Sequence, residues 1–228
     1  MTEPTDRAEL LDDPSMRVLA AKDANELRAA YDDWSATYND AVAEVKWDTD
    51  GVPRVAELTA KLVDKDGRIL DAPCGTGLVG LALARHGFGR IEGVDLSPKM
   101  LERADETGVY QSTRILNFED PLPIDSDIYD AVTSAAMYMP GHCPADPSLR
   151  EFARVTRPGG HVIFTHTVYD EVPHPGLNEL SAELEHEGMW RLVSNDLIQE
   201  IPLYEEGESG EQVEHMWACH LLAYQRLG

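Results

Sequence analysis

The sequence predicts an α/β protein: a doubly wound, mostly parallel seven-stranded sheet with an antiparallel last strand and an N-terminal helical lid. Three observations carry that expectation. Residues 68–80, Arg-Ile-Leu-Asp-Ala-Pro-Cys-Gly-Thr-Gly-Leu-Val-Gly, run from a buried apolar strand through a glycine loop into an apolar helix. A second strand, Ile91 to Asp95, passes directly into a helix start at Ser97-Pro98. Two further strands near 190–201 and 213–226 close the chain as a hairpin.

In chain order, residues 1–22 carry Pro4, Pro14 and several acids with little periodicity, and are expected to be a flexible arm. Residues 23–228 are long enough for one domain with a full core. From Asp23 to Lys46, Leu27, Tyr31, Trp34, Ala41 and Val45 recur at helical spacing, predicting two short helices joined near Tyr38. Helices in that place can form a lid, although aromatic residues at such spacing, Trp34 above all, are more often core. Val52, Val55, Leu58, Leu62 and Val63 predict an amphipathic helix over 51–63, leading into the first strand. After Ile69 and Leu70, a helix opens with Leu78, Val79, Leu81, Ala82 and Leu83. The helix at 97–107 has Ser97 as N-cap and Pro98 at its first position. Residues 111–116 form the third strand and 129–133 the fourth, with a loop over 134–141 at its carboxyl end. Asp146-Pro147 starts a helix to Val155, Pro158-Gly159-Gly160 turns into a fifth strand at 161–165, and a helix near 176–187 precedes the hairpin.

The glycine loop reads as a cofactor site. Gly75 and Gly77 allow positive φ and leave no side chain between main chain and ligand. The helix that follows presents free N–H groups and a positive dipole end, so an anion is expected there. Gly75, Gly77 and Gly80 also satisfy the dinucleotide fingerprint. In that fingerprint, however, the glycines come directly off the strand, whereas here Asp71 closes the strand and Ala72, Pro73 and Cys74 intervene. An acid in that position repels pyrophosphate and holds an ammonium group. Asp95, ending the second strand, stands where a carboxylate chelates a ribose diol through two hydrogen bonds of roughly 1.5–3 kcal/mol each. The competing reading of Asp95 is a helix-flanking acid with no ligand.

The acid-x-x-x-Gly-x-Gly pattern of Asp71 to Gly77, with Asp95 and Arg157-Pro158-Gly159-Gly160 before an apolar strand, resembles the class I S-adenosylmethionine-dependent methyltransferases. The likeness runs from about residue 30 to the C-terminus. Tyr31-Asp32-Asp33-Trp34 with Tyr38, Cys74 to Val79, and Arg154 to Gly160 resemble more closely the methyltransferase-like proteins of the Williams–Beuren region. The resemblance implies a Rossmann-like methyltransferase fold, S-adenosyl-L-methionine as cofactor, and a Tyr-Asp-x-Trp segment closing over it, with Tyr31 and Tyr38 as contacts. It implies further contacts from Asp71, Ala72, Cys74, Gly75 and Gly77, with Cys74 packed under the cofactor. Asp95, Leu96 and Met100 follow on the second strand and helix, Asn117 and Phe118 form the adenine loop, and Ser134 lies near the reacting centre. It does not imply an acceptor.

Methyl transfer from a sulfonium needs alignment above all; a general base adds ~10²- to 10⁴-fold where the nucleophile arrives protonated. The candidate bases or substrate contacts are His166 first, then His142 and Tyr169, with His174 close behind, though each of these residue types is common on surfaces and in packing. His161 and His166 fall on opposite faces of a strand, so no metal is expected.

The formal charge of −23, with 42 acidic against 19 basic residues, argues against a nucleic-acid or anionic-membrane partner and favours a neutral or cationic small molecule. Such acidity with few lysines also suits high salt, or solubility alone. Three cysteines without pair spacing indicate neither a disulfide framework nor zinc, and imply a reducing cytoplasm. No apolar run is long enough to span a membrane. Two alternatives stand beside methyl transfer. One is an NAD(P)-dependent oxidoreductase resting on Gly75, Gly77, Gly80 and Asp95, and the other a protein of methyltransferase fold that binds its cofactor without turnover. Oligomeric state is not legible.

Overall fold

The computed structural model describes residues 14–44, 46–138, 143–169, 174–206 and 212–228. Val45 and His142 fall outside them. Among the described residues the sheet has seven strands: β1 (Ile69–Asp71), β2 (Ile91–Asp95), β3 (Ser112–Ile115), β4 (Tyr129–Tyr138), β5 (Thr156–Tyr169), β6 (Trp190–Glu206) and β7 (Gln212–Arg226). Their spatial order is β3-β2-β1-β4-β5-β7-β6. All neighbouring pairs are parallel except β5 with β7 and β6 with β7.

Every residue of β1 and β2 is buried, as strands covered by helices on both faces must be. Alternation then divides the core. Leu70, Val132, Phe164 and Tyr224 face one side, under α7 (Ala145–Val155) and α8 (Leu177–His186), which contribute Leu149, Phe152 and Leu184. Ile69, Ile91, Ile163 and Leu221 face the other, under α4 (Trp47–Leu62) and α5 (Leu78–Arg85), which contribute Val55 and Leu83. A smaller cluster joins Cys74 to Leu101 and Ala104 of α6 (Pro98–Glu106), where Ser97 caps the Met100 N–H at 3.1 Å as the sequence predicts.

The predicted lid consists of α2 (Ala24–Trp34) and α3 (Tyr38–Glu44). Asp23 caps α2 by accepting from Asn25 and Glu26. Ahead of it, Pro14–Ala20 of the expected arm is a helix, α1, with Val18 buried and Arg17 paired to Asp33 at 2.7 Å.

Three other elements also differ from the sequence expectation. The fourth strand does not end at Thr133: it runs to Tyr138 across a bulge between Ser134 and Tyr138, held by the Ala136 N–H donating to Thr165 Oγ1 at 2.8 Å. Ala136 takes φ 59° there. The Pro158-Gly159-Gly160 turn lies inside β5 as a register break between Thr156 and His161. The last hairpin is longer, because β6 and β7 go on pairing beyond the Tyr169–Trp217 end of the β5 ladder, as far as Glu206–Gln212. No described helix is long and apolar enough to cross a membrane.

Candidate active site

β1 and β4 are neighbours although their connections leave in opposite directions, and the crevice at such a switch point is where open α/β sheets bind ligands. A cleft of about 930 Å³, counting its open mouth, lies there. Its floor is the loop Pro73 to Thr76 with Leu78 and Val79, and one wall is Asp95, Leu96 and Met100. Asn117, Phe118 and Glu119 form a second wall, and Ala135, Ala136 and Met137 enter from the β4 bulge beside Cys143. Ala24, Leu27, Tyr31, Tyr38 and Val52 close it from the lid side.

The loop is built to leave room. Gly75 has φ 52°, and a Cβ added there would meet nothing within 4 Å. Its N–H donates to Asp95 Oδ2 at 2.9 Å, while the Ser97 N–H donates to Oδ1 at 2.9 Å. Asp95 is thereby fixed with lone pairs to spare. Burial pushes its carboxyl up to about 6, with the Ser97, Gly75 and Leu96 N–H groups pulling the other way.

Asp71 is fully buried and does not line the cleft. Tyr110 donates its hydroxyl to Oδ2 at 2.7 Å and Thr133 donates to Oδ1 at 3.0 Å. The Gly80 N–H of α5 also bonds this carboxylate, so an anion does sit at the helix start, and it is the protein's own. Burial raises Asp71 to about 7 against those three donors. Asp71, expected from the sequence to touch the cofactor, therefore lies beneath the loop and off the cleft surface. Ala72, buried with its N–H given to Thr133, and Gly77, the φ 92° residue before α5, are likewise off the cleft surface.

Gly80 departs from the dinucleotide fingerprint in its physical reason. A Cβ at Gly80 would lie 2.3 Å from the Tyr110 hydroxyl, and one at Gly93 or Gly77 would lie 3.0 or 3.1 Å from its ring. The third glycine makes room for a tyrosine.

The lid is bonded to both cofactor loops. Thr76 donates to Asn39 Oδ1 at 2.6 Å, and Asp32 accepts from the Ser97 hydroxyl at 2.6 Å and from the Lys99 N–H at 3.2 Å. Trp34 does not line the cleft; it backs Tyr38 edge-on at 4.9 Å and stacks on Tyr31 at 6.2 Å. Burial, reinforced by Asp95, raises both tyrosine hydroxyls, Tyr38 to about 12, so they are neutral donors.

The expected base does not reach the cleft. His166 is buried, its Nε2 accepts from the His174 N–H at 3.1 Å, and burial with His174 and His220 lowers it to about 4. Tyr169 stands at the end of β5 opposite Trp217, and its side chain, like His142, is outside the described residues. Ser134 is also behind the wall, its hydroxyl on Met137 Sδ at 3.6 Å. Among the described residues no group of three His, Cys, Asp or Glu side chains is placed to hold a metal ion. Sequence reasoning missed Tyr110, Thr133, Asn39 and Cys143, for which it holds no motif; Asp32 lay inside the Tyr-Asp-Asp-Trp segment already singled out.

The family described as a methyltransferase domain matches residues 69–160. Human Methyltransferase-like protein 27 is 36% identical over 169 residues, 70% of this chain and 66% of that protein. Residues 69–160 are a class I S-adenosylmethionine-dependent methyltransferase domain. A Ubiquinone biosynthesis O-methyltransferase from Xanthomonas axonopodis pv. citri is 31% identical over 140 residues, 55% of this chain and 57% of the relative. The chain thus spans about two thirds or less of these relatives. Among solved structures, the YcgJ protein of Bacillus subtilis superposes with TM-score 0.58 at 18% identity, over 77% of this chain and 99% of its own. A Mesorhizobium loti S-adenosylmethionine-dependent methyltransferase gives 0.52 at 18%, over 75% and 98%. At such identities these two show the shared fold.

S-adenosylmethionine is the cofactor of that family, and the cleft of this chain fits it. Asp95 has lone pairs for a ribose diol, Leu96, Met100 and Phe118 give apolar walls for a base, and the open space over Gly75 admits the ligand's chain. The methyltransferase domain sets the nicotinamide alternative aside, and Tyr110 accounts for the glycine that had suggested it.

Proposed function

We propose that the chain transfers a methyl group to a neutral or cationic small molecule. The observation that carries this reading is the charge of the cleft: Asp95 and Glu119 line it, and no basic side chain does among the described residues. Segments 139–142, Met-Pro-Gly-His, and 170–173, Asp-Glu-Val-Pro, which lie outside the described residues, contain no lysine or arginine. An anionic acceptor would enter without a counter-charge, and a nucleic acid would meet a chain of net charge −23. A relative named for ubiquinone O-methylation supports a small acceptor.

The bound cofactor supplies a methyl group on a sulfonium, with its leaving group in place. The protein's part is then to hold and align. Tyr31, Tyr38, Ala135, Ala136 and Met137 bound the side of the cleft open to an acceptor, and alignment of that kind accounts for roughly 7–11 kcal/mol of barrier. The lid's three hydrogen bonds to the body hold it over that space. Neither the cleft tyrosines nor Cys143 is a ready base: the tyrosines are raised, and burial raises the Cys143 thiol to about 12. Acceptors that attack from a neutral lone pair, or lose their proton to solvent, suit it best.

The test is transfer of labelled methyl from S-adenosylmethionine to a panel of amines, thiols and phenols, with carboxylate- and phosphate-bearing counterparts of each. Turnover confined to neutral and cationic members is the expected result; preference for the anionic members overturns the reading. Tight cofactor binding with no transfer to any member favours the binding protein without turnover.

A further inference from the structure

Tyr110 stands outside every motif of the sequence, on the link between α6 and β3, yet three glycines from three separate places are shaped around it. Gly77 comes from the cofactor loop, Gly80 from the first turn of α5 and Gly93 from the middle of β2. A methyl group on any of the three would approach the tyrosine ring or hydroxyl within 3.1 Å. Such a slot fixes the ring, and its single polar atom then has one place to go, the Asp71 carboxylate at 2.7 Å.

Packing alone would ask only for a phenyl ring. The hydroxyl matters because Asp71 is fully buried, with no cation among the described groups that act on it. The groups that face it are Tyr110 from the α6–β3 link, Thr133 from β4, the Gly80 N–H from α5, and two acids or weak acids, Asp95 from β2 and Cys74 from the loop. Three donors thus oppose burial and the Asp95 charge, and Tyr110 heads them. Removing a donor from a buried carboxylate moves it toward its protonated form.

We propose that Tyr110 is a positioning residue for the cofactor: its hydroxyl favours the ionised form of Asp71 and fixes it beneath the glycine loop, where the negative charge favours the cationic cofactor over its product. S-adenosylmethionine carries a sulfonium charge that S-adenosylhomocysteine lacks. A charge beneath the loop therefore discriminates between them, whereas the shape of the loop alone does not. Cys74 lines the cleft and feels both Asp71 and Asp95, so the Asp71 field reaches the cleft surface.

Tyr110→Phe keeps the ring that fills the slot and removes the donor. Calorimetric affinities for both ligands, taken with wild type and variant from pH 6.5 to 8.5, read the consequence without turnover. S-adenosylmethionine affinity is expected to fall about five- to tenfold at pH 6.5, S-adenosylhomocysteine affinity about twofold, and the first loss to shrink as pH rises and Asp71 ionises unaided. In an Asp71→Asn background the same substitution should change the affinity ratio of the two ligands by less than about 1.5-fold. Equal losses for both ligands at every pH, or an undiminished effect in the Asp71→Asn background, would assign Tyr110 to packing alone and overturn the proposal. Should Tyr110→Phe fail to fold, Thr133→Val removes the second donor to the same carboxylate and must show the same ligand discrimination and pH recovery.

Discussion

Asp32 lies 2.6 Å from Ser97, so a carboxylate from the lid and the serine of the body cap one helix together. Ser97 satisfies the Met100 N–H, and Asp32 adds the Lys99 N–H. The lid is therefore seated on the helix that carries the wall residue Met100. Asp32→Ala should cost about 0.5–2 kcal/mol of stability, the usual cost of a lost cap. It should also speed dissociation of S-adenosylhomocysteine severalfold in stopped-flow measurements while leaving the Asp95 bonds intact.

Asp95 offers a second prediction, in ligand affinity. Its carboxyl is raised to about 6, and only the ionised form accepts two charge-assisted hydrogen bonds from a diol. Affinity for S-adenosylhomocysteine should hold near pH 8 and fall as pH drops through about 6. Asp95→Ala should lose at least about a hundredfold at pH 8, from two bonds of roughly 1.5–3 kcal/mol each, and lose the pH dependence in that window. Calorimetry reads both.

The free protein should respond to pH in the opposite sense. Asp71 and Asp95 have folded values of about 7 and about 6, both above the ordinary carboxylate value, so the native state holds protons that the unfolded chain releases. Their contribution to stability is full below pH 4 and is lost as pH rises through 6 and 7. Thermal scans without ligand should show this decline between about pH 4 and 7, and Asp71→Asn should remove the share that levels off above about pH 7.

Ala136 gives a prediction about strain. An alanine at φ 59° in the β4 bulge is held by its N–H bond to Thr165 and forms part of the cleft wall. Ala136→Gly should raise stability by about 0.5–1 kcal/mol by removing that strain. A loss of more than about 1 kcal/mol in denaturant melts would mean that the methyl group's packing outweighs the strain.

Much of this architecture can be read locally, because turn chemistry is local. Asp71 before a glycine loop, Asp95 before Ser97-Pro98, and the apolar runs around them place two strand ends side by side without reference to distant residues. The long-range features could not be read that way. Tyr110 is an unremarkable aromatic until Gly77, Gly80 and Gly93 are brought around it in space. His166 invites a catalytic role by its position at a strand end, but the backbone of His174 already holds its Nε2. The fourth strand runs past Thr133 because Thr165, on the neighbouring strand, bonds a bulge that no pattern in residues 134–138 announces.

Gly77, Gly80, Gly93 and Tyr110 also constrain one another sterically. While the tyrosine is present, alanine is barred at 80 and disfavoured at 77 and 93. Were it replaced by a small residue, position 80 would be released, while Cys74 Sγ at 3.0 Å would still crowd a Cβ at 93. The spacing that imitates a nucleotide fingerprint would then dissolve while the fold remained. Its persistence in this chain records the dimensions of one phenol ring.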